Sequence, residues 1–115
     1  MGLGFMNQLQ ITNYKLRIIL DMVLLTVVAF PPLSLKEKEN IGGAYVNCWM
    51  NTDDTEFAKR EATKYIVEKG WKAEEITDVS IYDAAEDLAD GQLEYYNEAL
   101  ANEACYVFHT WPVGD

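Results

Sequence analysis

Small or aliphatic residues alternate with polar or aromatic ones through Ala44-Tyr45-Val46-Asn47-Cys48-Trp49-Met50, the mark of a strand with two different faces. Ala44, Val46, Cys48 and Met50 point one way, and Tyr45, Asn47 and Trp49 the other. The period then changes. Asp53 and Glu56 have the spacing of a capping box, and Phe57, Ala58, Ala62, Tyr65 and Ile66 recur at helical intervals behind them. Gly70 supplies the left-handed residue that ends such a helix, with Trp71 placed to fold back on its last turn. Residues 75–82 read as the next strand, with Val79 and Ile81 facing the core and Ser80 and Tyr82 facing away. Residues 83–90 read as an acidic connector. Asp90 is placed to cap a second helix whose apolar face is Leu93, Tyr96 and Leu100, with Ala99 beside it. Residues 104–111 form the last strand, and Pro112 stops it. There Cys105 and Val107 are expected to face the helices, and Tyr106, Phe108 and Thr110 the opposite side.

Upstream lies a different kind of sequence. Residues 18–30 are a thirteen-residue apolar run broken only by Asp21. A bilayer-spanning helix takes about 20 residues, so the run is too short to cross. Lys15 and Arg17 before it, with Val27-x-Ala29 inside it, resemble a signal peptide, but Asp21 spoils the apolar core. Pro31-Pro32 then forbids any helix from continuing. The chain thus divides into an apolar segment, residues 1–35, and an acidic domain, residues 36–115. The first is read as an element packed on the fold, with a signal or anchor as the alternative. Lys36 to Asn40, followed by Gly42-Gly43, reads as a polar hinge between them. Strand, helix, strand, helix, strand predicts an α+β, ferredoxin-like two-layer sandwich. Its sheet is small and mainly antiparallel, its two helices share one face, and the N-terminal run is available as a fourth strand.

Charge narrows the partners. Residues 36–115 carry seven of the nine basic side chains and eighteen of the nineteen acidic ones. The whole chain has a formal charge of −10 and a pI near 4.4. That balance excludes nucleic acid, which needs clustered Lys and Arg, and opposes an anionic membrane surface. A basic protein partner or a second copy of the chain is expected instead. The chain is expected to be cytoplasmic, with export or anchoring through residues 1–35 as the alternative. Cys48 and Cys105, each among apolar or aromatic neighbours, read as reduced thiols rather than a disulfide.

The combination of AYVNCW, a capped helix ending in Gly-Trp, and VFHTWP resembles small uncharacterised bacterial proteins of this size. The resemblance covers residues 43–112 and implies no activity.

Chemistry has few places to sit. By alternation one sheet face gathers Tyr45, Asn47, Trp49, Ser80, Tyr82, Tyr106 and Phe108, an aromatic surface that needs a cover. Asp83, Asp87, Asp90 and Glu94, with Glu86 beside them, would line one helical face, yet no calcium-loop pattern accompanies them. They read as solvated surface, and no metal or other cofactor is expected. His109 is the sole histidine and a candidate polar group for a cleft. No Gly-rich phosphate loop, nucleophile elbow or zinc spacing occurs. The expectation is a non-enzymatic interaction or self-associating domain. The alternatives are a small-ligand site or enzyme on the aromatic face with His109, and an immunity or antitoxin-type protein that neutralises a basic partner.

Overall fold

A computed structural model describes residues 22–82, 88–89 and 91–114. Its four strands form one antiparallel sheet in the order β3-β1-β2-β4, accompanied by three helices among the described residues. β1 is Met22–Phe30 and β2 is Ile41–Met50, joined through the short helix α1, Leu33–Glu39. Helix α2, Thr55–Glu68, crosses back to β3, Lys72–Tyr82, and α3, Gln92–Asn102, leads to β4, Ala104–Pro112.

β1 is rich in β-branched residues and apolar on both sides, as an interior strand must be when each face is covered. It pairs with β2 on one side and β3 on the other. The sheet therefore draws on both sides of the change in composition at Leu35. Residues 33–39 are helical rather than an extended hinge. Pro32 opens that helix with its carbonyl accepting from Leu35 and Lys36, and Asn40, at φ 55°, ends it.

Helix α2 is capped by Asp54, not Asp53. Asp54 Oδ1 accepts from the Phe57 amide at 3.0 Å. Its far end closes as the Gly70 pattern predicts. Gly70, at φ 88°, donates to Val67, and Trp71 donates to the Ile66 carbonyl at 3.1 Å.

Two cores result, one on each face of the sheet. Val23, Leu25, Val27 and Ala29 of β1 pack with Ala44, Val46, Cys48 and Met50 of β2 and with Ala58, Ala62 and Ile66 of α2. Met22 and Trp49, from the alternate positions of the same strands, pack with Tyr96 and Ala99 of α3. Since neighbouring residues of a strand point to opposite faces, α2 and α3 lie on opposite sides. The expected two-layer arrangement with both helices on one face is thus not the one that forms. Its cause lies in β1: an interior strand that is apolar everywhere but Thr26 needs a cover on both faces.

Strand β3 begins at Lys72, three residues before the expected start, because an edge strand tolerates charged side chains. Val79 and Ile81 lie opposite Leu25 and Val23, on the α2 face, but beyond the reach of that helix, and both are exposed. Leu93, expected in the apolar face of α3, is exposed as well; Tyr96 and Ala99 hold that helix down. The helix opens at Gly91 rather than through a side chain, while Asp83, Glu86, Asp87 and Asp90 lie outside the described residues. Among the described residues no helix is long and apolar enough to cross a membrane.

Candidate functional site

The α3 face of the sheet is covered at one end and open at the other. Register places its residues in rows across the strands. Under α3 lies the row Ser80, Leu24, Trp49, Cys105. Here Trp49 is 2% exposed, stacks on Tyr82 with ring centres 6.0 Å apart, and lies 6.4 Å from the Tyr95 ring. Its Nε1 is buried without a hydrogen-bond partner. The next row, Asp78, Thr26, Asn47, Val107, is polar at its centre, where the Thr26 hydroxyl donates to Asn47 Oδ1 at 3.0 Å. Beyond it come Glu75, Val28, Tyr45 and His109, and last the pairs Lys72–Phe30 and Gly43–Trp111.

This outer end is an open aromatic patch. Tyr45 is 51% exposed and Phe30 38%. The Trp111 indole lies between them, its centre 5.0 Å from Tyr45 and 6.4 Å, edge-on, from Phe30. The Trp111 ring rests on Gly43, where a methyl group would overlap it, and at Gly42 a methyl would lie 2.8 Å from the Pro112 carbonyl oxygen. The glycine pair is a seat for an aromatic ring. His109, exposed, is the cross-strand neighbour of Tyr45.

The residues expected on one face are therefore divided. Tyr45, Asn47, Ser80 and His109 lie on the α3 face outside its core. Trp49 and Tyr82 share that face but are packed against the α3 cluster. Tyr106 and Phe108 belong to the opposite face: Tyr106 stacks on Tyr65 of α2 at 3.6 Å, and Phe108 meets Trp71 at 5.1 Å. Alternation within β4 gave their relation to Cys105 and Val107 correctly. It did not say which face of β2 each set would join, because that depends on the pairing Cys48 with Tyr106. Phe30, Val28 and Trp111 were missed. Their signal was the Gly42-Gly43 pair, which marks a close approach as well as a bend.

The thiols are poor candidates for chemistry. Burial pushes Cys48 up to about 12, and Cys105 is raised by burial first and then by Glu98 and Glu94. Both are free, and they point to opposite faces of the sheet, so no bridge joins them. The Tyr106 hydroxyl is also raised, chiefly by burial. Among the described residues no group of three His, Cys, Asp or Glu side chains is placed to hold a metal. A cavity of about 200 Å³ lies between the ends of β2 and α3, lined by Met50, Asn51, Thr52, Phe57 and Glu103, and contains no histidine or cysteine.

Comparison of the chain with protein-family models, with curated proteins and with solved structures finds no match.

Proposed function

We propose that the chain is a non-enzymatic protein-interaction domain whose docking surface is the open end of the α3 face. The exposure of Tyr45 and Phe30 around Trp111 carries this reading. Three rings clustered on a sheet with no helix among the described residues above them resemble the aromatic centre of an interface rather than scattered surface residues. Among the described residues the patch lies on a sheet face, whereas small-ligand sites are concave. Exposed Glu75 and Asp78 flank it on the β3 side, and the whole chain carries −10, so a partner presenting Lys or Arg beside an apolar anchor suits it best. An immunity or antitoxin role is one biological form of that reading.

A photoreactive residue at position 45, compared with one at exposed Leu93 on α3, tests it. The proposal expects a discrete protein adduct in native lysate from position 45, absent from position 93 and lost when Trp111→Ser removes the central ring. Equal labelling from both positions overturns it. A thermal-shift screen against metabolites and metals covers the competing reading. Stabilisation by one compound class that disappears in His109→Ala would replace the interaction surface with a ligand site.

A further inference from the structure

We infer that two copies of this chain pair along β4, antiparallel about a twofold axis, and so continue the sheet from four strands to eight. The pairing rests on the edge of the sheet. It does not depend on the docking reading above.

A four-stranded sheet leaves two edges, and this chain treats them differently. β3 is guarded. It carries Lys72, Glu74, Glu75 and Asp78, and its register with β1 is interrupted twice, between Thr26 and Val27 and between Val28 and Ala29. Charges and bulges are what proteins use to stop an edge from adding another strand. β4 is far less defended: its one register irregularity with β2, between Ile41 and Gly43, lies at its end beside Pro112. Ala104–Pro112 contains no Asp, Glu, Lys or Arg, and its register with β2 runs without a break from Ala44 opposite Thr110 to Met50 opposite Ala104. Its residues are strand formers, and its side chains from Ala104 to Phe108 are half-buried rather than closed off. Among the described residues its backbone pairs with β2 alone, so its outer N–H and C=O groups are available to a further strand.

Charge selects a second copy as that strand. Most of the molecule's surface opposes another −10 chain, while β4 brings no charge to the contact. The acidic end of β4, near Glu103 and the Glu94 and Glu98 that act on Cys105, would lie in an antiparallel pair beside the mate's uncharged Thr110 to Pro112. A register centred near Phe108 also sets His109 of each copy beside Val107 of the other and Trp111 beside Cys105, so the open aromatic end of each copy lies next to the helix-covered end of its mate. Because β3 is guarded, the assembly closes as a dimer instead of growing into a fibre.

Sedimentation velocity on the full chain across a concentration series tests this, and the expected species has twice the 13.1 kDa chain mass. His109→Asp/Thr110→Asp places like charges along the joint and should weaken the dimer by about tenfold or more, with circular dichroism unchanged. His109→Lys/Thr110→Lys should do the same, and mixing the two variants should restore the dimer. That rescue separates a broken interface from a broken fold. A wild-type chain that stays monomeric overturns the proposal and leaves the docking surface standing. A dimer that survives both double variants but is lost in Tyr45→Glu overturns it too, and moves the interface to the aromatic end. A dimer that persists in Tyr45→Glu while the position-45 adduct fails to form supports the pairing and removes the docking reading.

Discussion

The two faces of the sheet are built from the same strands, yet one is finished and the other is not. On the α2 face, aliphatic side chains of β1 and β2 meet Ala58, Ala62 and Ile66 and are closed to solvent, and only toward the β3 edge do Val79 and Ile81 stand exposed. On the α3 face, among the described residues, helix cover ends at the Trp49 row, a Thr26–Asn47 hydrogen bond marks the boundary, and Tyr45 and Phe30 beyond it are exposed. The contrast teaches that apolar content alone does not separate core from surface. Phe30 and Tyr45 are as hydrophobic as their buried neighbours. What distinguishes them is that no element among the described residues lies above them, and that is where an interaction site can exist without costing the fold.

The strand common to both faces is the place where the comparison breaks down most completely. Deleting residues 1–35 removes β1, the strand to which both β2 and β3 are hydrogen-bonded, together with Met22, Val23, Leu25, Val27 and Ala29 of the two cores. Residues 36–115 alone are expected to show no cooperative melt by circular dichroism, because neither face can close without it. A folded fragment with the parent melting temperature would show that the sheet does not depend on β1.

Much of this was legible in the sequence. The period-2 stretch at Ala44 to Met50, the helix ending in Gly70-Trp71 and the final strand before Pro112 are local patterns with local causes, and they form as read. The errors are non-local. Alternation fixes sides within a strand and so groups Tyr106 and Phe108 with Tyr45, whereas the pairing of β4 with β2 fixes sides between strands and sends them to the opposite face. The second helix was placed beside the first because its sequence shows an apolar stripe but not which face that stripe meets. Trp49 shows the same limit at the site. Its alternation with Cys48 is plain, but only the path of α3 decides that it is buried while Tyr45, four residues away, is open.

Single substitutions should rank the faces in the same order. Leu25→Ala on the α2 face leaves a hole among fully buried neighbours and should cost about 2–5 kcal/mol by denaturant unfolding. Beneath α3 the accounting is less favourable to the native residue. Trp49→Ala should cost about 3–5 kcal/mol, but Trp49→Phe keeps a ring while deleting a buried donor that has no acceptor, and should cost less than half as much. If the two variants proved equally damaging, Nε1 would be doing more than its surroundings indicate.

The α2 face also carries a pH signature. Cys48 titrates at 9.0 when unfolded and near 12 when folded, so the folded state holds the proton more tightly. Its contribution is fully present below pH 9 and is lost as pH rises from 9 towards 12, by an amount reaching about 4 kcal/mol at three pH units of difference. Melting temperature should fall across that window, and Cys48→Ala, though less stable throughout, should fall less steeply. Parallel slopes would assign the alkaline loss to other groups.

The smallest effect on stability belongs to the open end, and it is the sharpest test of the contrast. Tyr45→Ser removes a side chain that is half exposed and touches the fold chiefly through the Trp111 ring. Half of the ring is already in water, and no buried polar group is left unpaired. Chemical unfolding should therefore place the variant within about 0.5 kcal/mol of the parent, the range of ordinary surface substitutions. Partner adducts formed by a photoreactive residue at position 30 should nevertheless be lost, because Tyr45 completes the aromatic patch beside Trp111 and Phe30. Stability and binding would then separate at one residue, as an unfinished face requires. A loss of several kcal/mol would instead make Tyr45 part of the core, and the two faces would no longer differ in kind.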